Sequence, residues 1–220
     1  MDADFLGYLQ KNYEENEPIF AQDLTYTFSE FSDAYIRINL KRLYDKGVLK
    51  RLEKGVYYFP LKNSILKNAL PDIDEVIKEK YLFNENKRIG YKSGINFSNK
   101  IGLTTQTASI DSIVANTVAD KKRIIKIKNT KLIVRSPRKG ILVDDKNYKL
   151  LQILDLIDDF NYNSEYDIFE AGATFFNYLI DLQLNMQEIE DYVSKYPLKT
   201  QISFYKSGVF YELTQRCRKF

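Results

Sequence analysis

The stretch SDAYIRINLKRLYDKGVLKRLEKGVYYFP, residues 32–60, decides how this chain reads. Ser32 offers a side-chain oxygen suited to a helix N-cap, and Ile36, Leu40 and Leu43 follow on one apolar face. Gly47 stands just past the last turn, where a left-handed residue ends a helix. Rotation by about 100° per residue puts Ala34, Ile38, Lys41 and Asp45 opposite the apolar stripe. Arg37 and Arg42 flank the stripe, and Tyr35 lies near the N-terminal end. The outward face of this helix is therefore cationic and hydrogen-bonding. Beyond Gly47, two β-prone runs flank a Lys54-Gly55 turn, which predicts a hairpin.

Upstream, Phe5, Leu6, Leu9 and Tyr13 recur at helical spacing and predict a helix over residues 3–14, broken by Asn16-Glu17-Pro18. Phe20, Leu24 and Phe28 predict a short second helix opening on Ala21-Gln22-Asp23. Helix, helix, basic helix and basic hairpin within sixty residues is the winged helix-turn-helix plan. Its physics suits duplex DNA, since a helix fits the major groove and a cationic hairpin tip can press on the flanking phosphates. Tyr35, Arg37, Lys41, Arg42, Lys50, Arg51 and Lys54 are the candidate DNA contacts. The competing reading is a winged-helix protein-interaction module whose basic helix is a solvated face. Charge on helix and wing together favours DNA.

The net charge of +3 conceals a strong segregation. Residues 35–54 hold seven Lys or Arg against two acids, and residues 121–139 hold nine with no acid. Residues 144–191 reverse the sign, with twelve acids against Lys146 and Lys149. Blocks of opposite sign imply that different parts of the chain face different partners.

Residues 61–72, between Pro60 and Pro71, read as a connector, and residues 72–82 as a helix built on Ile73, Val76, Ile77 and Tyr81. Gly90, Gly94 and Gly102 fit neither phosphate-loop spacing, so helix packing and caps are the better account of them. Residues 109–118, 123–128 and 131–136 are rich in Ile and Val and predict an antiparallel three-stranded meander. Its second and third strands carry much of a second basic surface: Lys121, Lys122, Arg123, Lys126, Lys128, Lys131, Arg135 and Arg138. From Asn147 the pattern turns helical, with Leu150, Leu151, Leu154 and Ile157 in one helix and a second from Phe169 through Leu182. Asn185 opens a third, and a last amphipathic stretch runs over residues 201–213. The expected fold class is α+β. Residues 1–60 form the winged helix-turn-helix, 61–72 the linker, and 73–220 an α+β domain with a small antiparallel sheet and a helical C-terminal half.

The chain has no histidine, which removes Ser-His and Cys-His nucleophile pairs, His-containing zinc sites and the usual general base. Its single cysteine, Cys217, lies between Arg216 and Arg218 and has no partner for an internal disulfide, which suits a reducing compartment. Asp144-Asp145 and Asp158-Asp159 are the candidate metal carboxylates of a nuclease. Neither they nor Glu79-Lys80 or Asp120-Lys121 stand in a D…E-x-K spacing. Catalysis, a metal and a cofactor are therefore not expected. No apolar run is long enough to cross a bilayer, and the Met-Asp-Ala-Asp-Phe start lacks a secretory signal, so the expected location is cytoplasmic.

Two stretches carry a resemblance. Leu40-Lys41-Arg42-Leu43 through Gly47, with Leu52-Glu53-Lys54-Gly55-Val56-Tyr57, resembles the helix-and-wing motif of the AbiEi family of antitoxins. Gly90-Tyr91 with Gly102-Leu103-Thr104-Thr105-Gln106 is similar to the segment that opens that family's second domain. The likeness covers most of residues 1–140, and the acidic, Tyr- and Phe-rich C-terminal half departs from it. The resemblance implies an antitoxin of a two-gene abortive-infection system. Such a protein represses its own promoter, at inverted repeats, and counters a nucleotidyltransferase-like toxin without a stable complex. It assigns DNA contacts to Lys41, Arg42, Arg51 and Lys54, and either DNA contact or antitoxin action to the second basic surface. The alternatives are a winged-helix scaffold that binds no DNA and a winged-helix-targeted nuclease.

Overall fold

Buried apolar side chains at helical spacing organise the first sixty residues of the computed structural model, which describes residues 2–62, 69–84, 86–119, 122–160 and 168–217. Helix α1 (Asp2–Asn12) is followed by a two-residue strand β1 (Ile19–Phe20), α2 (Ala21–Thr27), α3 (Asp33–Asp45), β2 (Lys50–Glu53) and β3 (Val56–Tyr58). Leu9, Ile19, Leu24, Ile36 and Leu40 are fully buried and join the three helices to the sheet. The Ser32 hydroxyl accepts the Tyr35 N–H at 3.3 Å and caps α3, and Gly47 ends it at φ 72°. The strands pair in the order β1-β3-β2, antiparallel throughout, with a bulge between Arg51 and Glu53. Strand β1 goes beyond the sequence expectation, because two residues are too few to show an alternation.

Helix α4 (Ile73–Ile77), capped by the Asp72 carboxylate, runs into a π-helical turn over Lys78–Leu82. Val76, Ile77 and Tyr81 are buried, as their spacing predicts. The chain divides into two compact units, Met1–Lys78 with Lys126–Thr130, and Glu79–Ile125 with Lys131–Phe220. The break thus falls six residues after the expected start of the second domain, with α4 on the first unit's side of it. Residues 63–68 of the expected connector lie outside the described residues.

From Glu79 the chain forms strands β4 (Phe83–Asn84), β5 (Lys87–Arg88) and β6 (Gly90–Ser93), then α5 (Ile95–Lys100), β7 (Asp111–Ala115), β8 (Arg123–Ile127) and β9 (Thr130–Arg135), the Lys126–Thr130 stretch of the last two grouping with the first unit. The larger sheet has the order β6-β7-β9-β8. Strand β6 pairs antiparallel with β7, and β7 pairs parallel with β9. The three strands expected as a meander are all present, but β9 inserts next to β7 and leaves β8 at the edge. The burial pattern explains the order. Leu132 and Val134 of β9 are buried, whereas Arg123, Ile124 and Lys126 of β8 are exposed, and lysines on an edge strand hinder further pairing.

Among the described residues, five helices complete the unit: α6 (Tyr148–Phe160), α7 (Ile168–Tyr178), α8 (Met186–Ser194), α9 (Leu198–Lys206) and α10 (Val209–Cys217). Residues 150–157 of α6 are buried without a break, so this helix is the centre of the unit. Asn185 caps α8 in a reciprocal box with Glu188, whose backbone N–H reaches the Asn185 side chain at 2.9 Å. The expected amphipathic stretch 201–213 is two helices, α9 and α10, parted at Ser207-Gly208. Mixed helix and strand, with a helical C-terminal half, make the chain α+β. Among the described residues, no helix is long and apolar enough to cross a membrane.

Candidate nucleic-acid interface

Burying Ile36, Leu40 and Leu43 fixes which face of α3 looks outward. Arg37, Ile38, Lys41, Arg42 and Tyr44 are exposed there, Ile38 by 51% and Tyr44 by 45%. Arg37 lies 3.9 Å from Asp33 one turn earlier, an exposed pair of small energetic weight. Tyr35 is half-buried and stacks on Phe31, with ring centres 4.6 Å apart and planes at 24°. The Asn39 amide donates to the Tyr35 carbonyl at 3.0 Å. Tyr35 is thus held in an aromatic row with Phe31 and Phe28 rather than projecting alone. Tyr44 is absent from the sequence-based set, although helical spacing from Lys41 leads to its position.

The hairpin adds three cations. Lys50 is half-buried, and Arg51 and Lys54 are exposed. Arg51 donates to the Glu53 carbonyl at 3.1 Å, across the bulge. The turn residue Gly55 has φ 82° and its carbonyl accepts the Ala21 N–H at 2.9 Å, so the hairpin tip is tied to the start of α2. Lys54 is presented on a short, anchored turn.

The second basic surface divides in two. Lys122, Arg123, Lys126, Lys128 and Lys131 are exposed along β8 and the start of β9, whereas Lys121 lies outside the described residues. Arg135 and Arg138 are half-buried and engaged, which corrects their assignment to an open cationic face. Arg135 meets Asp155 at 2.5 Å, and that carboxylate, 1% exposed, also accepts the Tyr91 hydroxyl at 2.7 Å and the Tyr196 hydroxyl at 3.0 Å. Burial opposes the charge of Arg135, but Asp155 together with Tyr91, Tyr196 and Asp159 outweighs it and holds the guanidinium above its usual range. Burial, reinforced by Asp155, holds both tyrosines well above the usual phenol range, so they remain donors. Arg138 pairs with Asp158 and lies 4.5 Å above the Tyr196 ring, and Asp158 also accepts the Thr200 hydroxyl at 2.6 Å. A basic residue count along a strand does not distinguish solvated lysines from arginines whose partners arrive from a helix.

The carboxylates singled out as metal candidates stand at opposite ends of α6, roughly 20 Å apart at 1.5 Å per residue. Asp144 accepts the Asn147 N–H at 2.8 Å in the turn before the helix, and Asp145 pairs with Arg88 at 3.5 Å. Asp159, at the far end, is pushed up to about 6 by partial desolvation and by Asp155. The glycines of the resembling segment have structural roles. A Cβ on Gly90 would lie 2.1 Å from the carbonyl oxygen of Tyr81, in the π-helical turn, and 2.5 Å from that of Val114, so only glycine fits between them. Gly94 and Gly102 bracket α5, and Thr104 accepts the Asn99 amide and the Gln106 N–H as it turns the following loop.

A family model for a family of unknown function, DUF6088, matches residues 18–165, which is 148 of the 220 residues. The chain belongs to the DUF6088 family. The DUF6088 match takes in α2, α3, the β2–β3 hairpin, the sheets of the second unit and α6, and thus both basic surfaces. Helix α1 and helices α7 to α10 lie outside it. No curated protein matches this DUF6088 chain in sequence.

Proposed function

We propose that the protein is a DNA-binding transcriptional autorepressor whose first unit is a winged helix-turn-helix. Helix α3 enters the major groove and the β2–β3 turn bears on neighbouring phosphates. One observation carries this reading: the exposed cations Arg37 and Lys41 of α3 and Arg51 and Lys54 of the hairpin flank a core that buries every apolar residue of the α3 stripe. Ile38 on the same outward face suits an apolar approach to a thymine methyl group. A cytoplasmic location accompanies this function. The likeness of residues 40–57 and 90–106 to AbiEi antitoxins supports a further role for the second unit, countering a nucleotidyltransferase-like toxin encoded beside it. Rescue of growth on co-expression with the adjacent gene product tests that role.

The DNA reading is tested by a gel shift on the protein's own promoter across a salt series. Changing Lys41 and Lys54 together to Ala is expected to weaken binding and to lower the log–log salt slope by about 0.9 for each phosphate no longer neutralised. An unchanged slope in a folded double variant overturns it.

A further inference from the structure

The second unit holds a cavity of about 420 Å³ bounded by the end of the π-helical turn, β6, α5, α6 and the last turn of α7. Its lining is aromatic and cationic. Tyr148 and Tyr178 are half-buried, Lys92 and Lys100 are exposed and stand at its mouth, and Gln152, 6% exposed, lies inside. Of its three cations, Lys92 pairs with the lining carboxylate Asp111 at 3.1 Å and Arg88 with Asp145, outside the lining, at 3.5 Å, which leaves the charge of Lys100. The excess charge favours an anion.

The groups are locked in place by one another. The Tyr178 hydroxyl donates to the Gln152 side chain at 2.6 Å, and the Gln152 amide donates to the Lys92 carbonyl at 2.7 Å. Burial pushes the Tyr178 hydroxyl up, so it stays protonated and keeps that bond. Phe97 meets the Tyr178 ring edge-on at 5.3 Å. The Arg88 guanidinium lies 3.7 Å over the Tyr148 ring. Such an array costs little to order when a ligand arrives. Its size falls at the lower end of small-molecule sites, and rings beside cations suit a flat body that bears a negative charge.

We propose that this cavity binds a nucleotide, with the base against the Tyr148 and Tyr178 side and the phosphate at Lys100 and Lys92. This goes beyond duplex binding by α3, since the site lies in the other unit and takes one nucleotide at a time. The nucleotide has two sources, a free nucleoside monophosphate or an unpaired residue of a strand.

The test is calorimetric titration of the full chain with AMP, GMP, CMP and UMP, with dTMP and a dT octamer, and with inorganic phosphate. At least one monophosphate is expected to bind with a Kd between roughly 10 μM and 1 mM. Lys100→Gln is expected to weaken it about tenfold by removing a charge-assisted hydrogen bond, and Tyr178→Leu by about five- to a hundredfold by removing the ring. Lys87→Gln, exposed and outside the lining, is expected to leave it unchanged. Lys100-dependent binding of the octamer, tighter than dTMP in the Lys41→Ala/Lys54→Ala background, assigns the site to unpaired strands. Preference for the monophosphate assigns it to free nucleotide. No binding of any monophosphate, equal binding by Lys100→Gln, or inorganic phosphate binding as tightly as a nucleotide overturns the proposal. Lys100→Gln keeps the test decisive if Tyr178→Leu fails to fold.

Discussion

Arg135 and Lys126 look alike in a charge count, yet their environments differ completely. Arg135 is the partner of a buried carboxylate, whereas Lys126 is exposed on the edge strand. Arg135→Ala strands the Asp155 charge among two tyrosines and is expected to cost about 3 kcal/mol in urea unfolding, against under about 0.5 for Lys126→Ala. Equal losses would show that Asp155 does not depend on its arginine. Asp159 gives a pH signature. Its folded pKa, about 6, lies above the ordinary carboxylate value, so the folded state holds the extra proton and stability falls as pH rises from about 4 to 6. Asp158 and Asp155 disfavour its charge, while Arg135 and Lys122 partly compensate. Asp159→Asn is therefore expected to gain stability relative to wild type at pH 7 and to show little gain at pH 4.5, as read from urea midpoints at both values.

Among the elements, α3 and the hairpin are the most legible from residue order. Ser32, the apolar spacing, Gly47 and the Lys54-Gly55 turn are local signals, and each stands where its chemistry requires. Gly55 tests the hairpin. Nothing lies within 4 Å of a Cβ placed there, so a substitution is opposed by backbone strain at φ 82° rather than by a clash. Gly55→Val is expected to cost about 1–2 kcal/mol and to weaken promoter binding, while the near-UV signal of the second unit is retained. Wild-type affinity in this variant would detach the turn from the proposed DNA interface. Strands β1, β4, β5 and β6 are not legible, because runs of two to four residues show no period, and Gly90 owes its place to two crowding carbonyls, Tyr81 of the π-helical turn and Val114 of β7. The α9–α10 break at Ser207-Gly208 is hidden because amphipathic spacing continues across it.

At the scale of the whole molecule, charge is divided between an exposed cationic ribbon and acidic helices. The turn bearing Lys126 and Lys128 groups with the unit that carries α3. Changing Lys126, Lys128 and Lys131 together to Gln is expected to lower the promoter salt slope by about 0.9 for each phosphate these lysines neutralise, with the fold intact because all three are exposed. A slope equal to wild type would confine the proposed DNA interface to α3 and the β2–β3 hairpin. The same grouping means that a single cut near residue 73 does not part the two units cleanly, since Lys126–Thr130 comes from far along the chain.

By itself the sequence determined what is local: helix spacing, caps, turns, the segregation of charge, and the absence of histidine chemistry. These depend on residues within one or two turns of each other, so their physics is complete in the residue order. Tertiary structure alone decided the β6-β7-β9-β8 order, the pairing of Arg135 and Arg138 with carboxylates of α6, and the aromatic cavity assembled from residues 82–178. Each joins groups distant along the chain, and which of many such pairings forms depends on how the whole core buries its apolar surface.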